Sequence, residues 1–540
     1  MRKYYLSLFI SCVLMTSCMN ERVDLIIKNA NIYTVDSAFS KVHSLAVKDG
    51  NVVWLGDDAE KSGYTSDKVE DLNGGYLYPG FIDAHSHFTG YGEGLVRWCD
   101  LREASSWDEV VNRLKKFKEA NKNAWVLGRG WDQNLWEVKE FPDNSLLDKL
   151  FPNTPVVLTR IDGHAMIANS TALKLVGIDE TTKIEGGAIL KKNNSLSGVL
   201  LDNAMERVYA AIPSLSAKEL ASACLTAEEN CFRVGLTTVN DAGLNYNVIH
   251  EIDSLQQKGD LAIRVMAWLN PDEANLEKIK EPYVTDHLWV TAIKLYADGA
   301  LGSRGALLKL PYADKPETRG LQLQQRDYYE KWGRLAFDRG FQLNTHAIGD
   351  SAVRLMLEVY GSILNGSNDY RWRIEHAQVV SSEDVRLFEK YNVIPSMQPT
   401  HATSDMYWAG DRLGDRVKQA YMLKTLMNAN GWIPLGTDFP IESIDPLKTF
   451  FAAVFRQDTK GYPAGGFQMS DALSREEALR GMTIWAAKAG RAEKSLGSIE
   501  VGKRADFVFL SNDIMTVPKE SFFETKVVQI WVDGMPKLKQ

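Results

Sequence analysis

The sequence predicts an α/β fold. Its main part is a distorted (β/α)8 barrel, a TIM barrel, with an inserted subdomain; a small discontinuous β-sandwich is built from both chain ends. Three observations carry this prediction. From residue 80 onward, eight short apolar segments of strand composition alternate with helical stretches. Residues 24–78 and the segment from residue 495 are both β-rich. The first two barrel segments are separated by about 150 residues, too many for one loop, so the gap must hold elements of its own.

The elements follow in chain order. Residues 1–18 read as a lipoprotein-type signal peptide. Arg2 and Lys3 make a positive start, and Tyr4 to Met15 is mostly apolar but short for a membrane span. Met15-Thr16-Ser17-Cys18 resembles a bacterial lipoprotein processing site, whose cleavage would leave Cys18 as a lipidated N-terminus. The usual leucine is displaced by one place, to Leu14, so plain signal-peptidase cleavage is the alternative. The chain is therefore expected to be exported, to the periplasm or cell envelope, and to touch the membrane only through Cys18.

Residues 19–78 form the first part of the sandwich. VDLIIKNANIYT (23–34) and SLAVKDGNVVWLG (44–56) are apolar runs, the second broken by the turn signal Asp49-Gly50. Residues 79–494 form the barrel. Its expected strands are 80–86, 236–243, 262–269, 291–299, 341–347, 372–378, 393–399 and 432–438. The insertion is placed at about 95–230, with 124–136 and 155–178 as its clearest elements. Residues 495–540 complete the sandwich through GSIEVGKRADFVFL and VVQIWVDG.

Bulk composition narrows the function. Hydrophobic content of 45% and charged content of 24% are ordinary for a globular chain of 540 residues. With 62 basic and 70 acidic residues and no basic stripe, nucleic-acid binding is not expected. A small-molecule substrate is, and a homo-oligomer is compatible with the sequence. Beyond the signal only Cys99, Cys224 and Cys231 remain, an odd number read as buried free thiols.

The chemistry sits at the strand ends. PGFIDAHSH (79–87) ends in two histidines one residue apart. Side chains at i and i+2 of a strand share a face, so His85 and His87 can reach one point. Lys294, His346, His376 and Asp438 fall at the ends of later strands, where barrels of this kind carry their chemistry. Four histidines and a carboxylate suit zinc or a similar divalent metal. Six ligands are too many for one tetrahedral catalytic ion, which favours two metals. An ammonium beside two dications is untenable. Lys294 is therefore read as a neutral amine carboxylated by carbon dioxide, with a salt-bridged lysine at the barrel mouth as the alternative.

PGFIDAHSH, the Lys294 strand, NTHAIGD (344–350), the RIEHAQ run ending at 378 and GTDFPI (436–441) resemble the amidohydrolase superfamily. RGWDQNLW, DGHAMIANSTAL, KLYADGALGSRGA and SMQPTHATSDM resemble its YtcJ-like, amidohydrolase-3 branch, the group containing N-substituted formamide deformylase. The likeness runs from residue 24 to 540. It implies a β-sandwich plus a distorted barrel, metal-site roles for His85, His87, His346, His376 and Asp438, and Lys294 as a carboxylated bridge. It also brings segments of the insertion to the active-site mouth.

Further candidates are Trp131, His164, Asp298, Arg304 and His401 as substrate-binding residues, with Asp132, Asp162 and Asp405 near them. Each has an ordinary alternative. Trp131 can be core, His164 can bond locally, and Arg304 can pair with an acid instead of clamping a carboxylate. His43, His250 and His287 lie away from strand ends and are read as surface or structural. The expected activity is metal-dependent hydrolysis of an amide or other C–N bond, with Asp438 as catalytic general base. A non-catalytic metal-binding lipoprotein and a non-hydrolytic decarboxylase or isomerase are the alternatives.

Overall fold

The computed structural model describes residues 21–120, 124–366 and 368–538. The signal segment and Cys18 lie outside the described residues. Seven parallel strands form the barrel sheet in chain order: Phe81–Ser86, Leu236–Leu244, Arg264–Leu269, Leu288–Tyr296, Gln342–Ala347, Arg373–His376 and Ile394–Ser396. They are buried along nearly their whole length, as near-continuous apolar runs in an all-parallel sheet must be. Helices such as Arg326–Arg339 and Asp350–Leu364 connect them.

The expected eighth strand is reduced to an extended segment. Leu435 makes one parallel bridge to Met397. Gly436 N–H donates to Met397 C=O (3.0 Å), Ala84 N–H to Leu435 C=O (3.2 Å) and Asp438 N–H to His85 C=O (2.7 Å). The barrel thus closes without a continuous ladder. Pro434 has no N–H to offer one, which limits pairing at this edge.

The chain ends share a core. Tyr76–Pro79 pairs with Phe507–Leu510, which pairs with Val527–Val532. The facing sheet contains Leu25–Lys28, Ser44–Lys48 and Asn51–Gly56, the last two joined by the Asp49-Gly50 turn. Ile27, Leu45, Leu77, Phe507 and Trp531 pack together between the sheets. Arg264, at the start of a barrel strand, is buried and donates to Asp506 through Nε (2.7 Å) and a terminal nitrogen (3.0 Å), and also to Asp533.

The insertion is a six-stranded sheet running in sequence from Cys99–Asp100 to Ser195–Asp202. It is shorter than the expected 95–230. Helix Ala217–Arg233 buries Cys224, Ala227, Cys231 and Phe232 in the barrel core instead. Cys99, Cys224 and Cys231 are buried and free, as expected. Among the described residues no helix is long and apolar enough to cross a membrane.

Candidate metal centre

Asp438 is the meeting point of the site. Its Oδ1 lies 3.3 Å from His87 Nε2 and 3.6 Å from His85 Nε2. Its Oδ2 lies 3.4 Å from His401 Nε2 and 4.0 Å from His376 Nδ1. Two groups of three metal-capable side chains therefore share one carboxylate: His85, His87 and Asp438, and His376, His401 and Asp438. Lys294 Nζ stands 3.2 Å from His85 Nε2, and the His346 ring centroid is 4.5 Å from that of His376.

The backbone explains how these side chains converge. In the barrel register Lys294 is beside Asn344, Tyr296 beside His346 and His346 beside Glu375, so alternate residues point inward. At the strand ends the chain turns. His376 has φ 72° and Asp438 φ 62°, left-handed conformations that non-glycine residues adopt at a cost of order 1–3 kcal/mol and that concentrate at functional sites. Gly436 lets the last segment press against the first strand, since a Cβ there would sit 2.5 Å from His85 N. Asp83 ties the same two segments. It accepts from His85 N–H (3.1 Å), Thr437 N–H (3.0 Å) and Thr437 Oγ1 (2.6 Å).

The imidazoles are oriented from behind. His85 donates from Nδ1 to Glu375 Oε2 (2.6 Å), which leaves Nε2 for the centre. Glu375 is held by Arg373 Nε (2.6 Å to Oε1) and is fully buried. His87 donates from Nδ1 to Ala242 C=O (3.2 Å), and His401 Nδ1 faces Glu442 at 3.2 Å. Trp268 closes the floor, with His85 edge-on at 5.2 Å and the Arg373 guanidinium 4.6 Å from its ring.

Burial governs the charge states. It lowers His85 to about 4, helped by the nearby Lys294, and holds His346 and His376 well below their ordinary value. Neutral imidazoles are the form that ligates metal. Burial also pulls Lys294 down to about 8, against the attraction of Glu375 and Asp438. For Asp438 burial is overcome by hydrogen bonds from His401 and His87, and its carboxyl lies well below the usual range. His401 is raised to about 10, because Asp438 and Glu442 outweigh its burial.

The donor set fits a divalent cation. His346 Nε2 is buried without a hydrogen-bond partner, and Asp438 Oδ1 faces the imidazole nitrogens of His87 and His85 at 3.3 and 3.6 Å. Buried polar atoms left unpaired are costly, and a cation among these imidazoles and the carboxylate would be met by donors of the right type on every side.

The centre opens into a cavity of about 1180 Å³, whose far wall is the inserted sheet. Of the sequence-derived residues, His85, His87, Lys294, His346, His376 and Asp438 come together at its base. His164 reaches the cavity from the insertion; its ring is 4.8 Å from His346 and its Nδ1 donates to Asp202 (2.8 Å). His401 does more than line the cavity, since it faces Asp438 directly.

Three candidates do not line this cavity. Trp131 is wholly buried in the core of the insertion, donating from Nε1 to Leu158 C=O (2.8 Å). Asp298 is fully buried and accepts from the amides of Leu307 (2.8 Å), Ile348 (2.9 Å) and Gly349 (2.8 Å), with its Oδ1 3.6 Å from His346 Nε2, so it backs the metal centre without lining the cavity. Arg304 pairs with Asp314 (2.8 Å) outside this cavity. Asp132 and Asp162 line the cavity but are engaged by Arg160. Sequence reasoning missed Glu375, Arg373 and Trp268. The first two carried a signal, as charges in an otherwise apolar strand that must find partners when buried.

A parallel barrel with paired histidines and a shared aspartate at its mouth defines a metal-dependent hydrolase of the barrel type. The chain belongs to the amidohydrolase family, whose model matches residues 68–536. It is 32% identical to the putative amidohydrolase YtcJ of Bacillus subtilis, over 93% of this chain and 97% of that protein. It is 26% identical to N-substituted formamide deformylase of Arthrobacter pascens, over 96% and 98%. A metal-dependent hydrolase of Pyrococcus horikoshii superposes with a TM-score of 0.76 at 29% identity, covering 92% of this chain and 99% of that one.

Proposed function

We propose that this chain hydrolyses an amide or other C–N bond of a small molecule at a site for two divalent metals, with Asp438 as the general base. The supporting observation is that one carboxylate faces both histidine groups at 3.3–4.0 Å. His85, His87 and Asp438 would hold one ion, and His376, His401 or His346, with Asp438, the other. Zinc suits these donors, and when bound it would polarise a carbonyl and make water acidic near neutral pH. Lys294, buried and with its proton loosened, would take up carbon dioxide, forming an N–C bond and releasing a proton, to give an anionic carbamate between the groups.

Asp438 would accept the proton of the attacking water and return it to the leaving nitrogen. Glu375 would keep His85 in the tautomer that presents Nε2. The inserted sheet would cover the reacting groups and select the substrate. The deformylase relative makes N-substituted formamides one sensible class to assay. The exported, lipid-anchored placement through Cys18 is part of the same proposal.

The test is a screen of N-acyl, formamide, cyclic amide and dipeptide compounds with zinc-loaded full-length protein. Turnover of a C–N class that disappears on metal removal is expected. Equal turnover with and without metal would overturn the proposal.

A further inference from the structure

The insertion's sheet carries a β-bulge beside the cavity. Along Val126–Trp131 and its neighbour Val156–Arg160 the register runs Leu127 to Val157, Gly128 to Leu158 and Arg129 to Thr159, then Trp131 to Arg160. Gly130, at φ 109°, is the extra residue. One extra residue flips the alternation. Val126 and Trp131 therefore share the core with Val156 and Leu158, while Leu127 packs on the other face with Val157 and Met205. Arg129 belongs to that second face and lines the cavity.

Its guanidinium differs from its neighbours. Arg160 is neutralised by Asp132 and Asp162, Arg102 by Asp100 (2.6 Å) and Arg113 by Glu109. Arg129 makes no side-chain hydrogen bond or ion pair among the described residues, and its Nε is buried without a partner. One terminal nitrogen lies 3.2 Å from where a Cβ on Gly163 would stand, and the next residue is His164, whose ring faces His346. A partly buried guanidinium on the cavity wall with no ion pair of its own is left to be completed by an anion. Its forked donors match a carboxylate.

We infer that Arg129 is a specificity-determining residue that receives a carboxylate on the substrate, at the end remote from the scissile bond. The favoured substrates are thus anionic amides such as N-acyl or N-formyl amino acids, not neutral ones. This rests on the reading of the cavity as the substrate site of a C–N hydrolase.

The probe pair is N-acetyl-phenylalanine and its neutral carboxamide, titrated calorimetrically into zinc-loaded full-length protein and into Arg129→Gln. Turnover of each is followed in parallel. The expected result is a preference of at least about tenfold for the anion, lost in Arg129→Gln with the affinity for the carboxamide unchanged. Arg129→Lys should keep part of the preference, and the melting temperature should not fall, because no internal partner is lost. A preference that survives Arg129→Gln, or equal affinity for both compounds in the wild type, overturns the inference. Binding preference without turnover of either compound would instead count against the hydrolase reading and leave the anion site standing.

Discussion

His85 and Glu375, 290 residues apart in the chain, are joined by a hydrogen bond of 2.6 Å inside the barrel. The bond links the first strand to the sixth and fixes which imidazole nitrogen faces the metal site. Glu375→Gln keeps the shape but removes the charge that anchors His85 and Arg373. Zinc affinity should fall roughly 10–100-fold, as it does when such supporting groups are changed. Breaking a buried ion pair also costs about 3–5 kcal/mol, so the melting temperature should drop with it. Metal titration and calorimetry on the same variant read both effects; unchanged zinc affinity would reduce Glu375 to a structural role.

Asp438→Asn retains a ligand oxygen but cannot carry the proton. The variant should fold, keep most of its metal and lose at least about a hundredfold in kcat on whichever substrate the screen finds. Turnover measured beside elemental analysis decides it. Near-normal turnover would remove Asp438 as the base.

Lys294→Ala should lower metal content toward one ion per chain or less, and bicarbonate or a short carboxylic acid should restore part of the activity. Normal stoichiometry and normal rate would make the lysine a bystander.

How much of this site was legible before the structure depends on the residue. His85 and His87 follow from strand alternation alone, and the other ligand types from their place at strand ends. His401 was readable as a pocket residue, but its approach to Asp438 comes from the helix Pro399–Asp405, which alternation does not describe. Trp131 could be read as core or as pocket, and the bulge at Gly130, which turns it into the core of the insertion, is not visible in the sequence. Asp298 resembles a mouth acid in sequence, yet three backbone amides hold it behind His346 instead of at the cavity wall. The last barrel segment reads as a strand by composition, although Pro434 limits its pairing.

Acid should weaken the joint between barrel and sandwich. Burial opposes ionisation of Asp533, but His287 and Arg264 overcome it and hold its carboxyl below the ordinary value of 3.8. A depressed folded-state value contributes stability above the unfolded value, and that contribution is lost as pH falls through the folded one. The melting temperature of wild type should therefore drop more steeply than that of Asp533→Asn below about pH 4. Parallel slopes would show that the ion pair adds nothing.

Mass spectrometry of the native mature protein should find a diacylated or triacylated Cys18 as the first residue. An unmodified terminus beyond residue 18 would refute the anchor.

The pairing of Tyr76–Pro79 with Phe507–Leu510 has a consequence for the order of events during synthesis. The first strands made cannot bury their apolar sides until the last ones exist, because Phe507 and Trp531 supply part of the filling between the sheets. For most of translation the N-terminal segment is an unfinished surface, and contacts this distant in sequence form slowly. A ribosome that stops even 40 or so residues early therefore releases a chain whose barrel lacks its Arg264 clamp and whose first sheet has open edges, a species prone to aggregate rather than a slightly shorter enzyme.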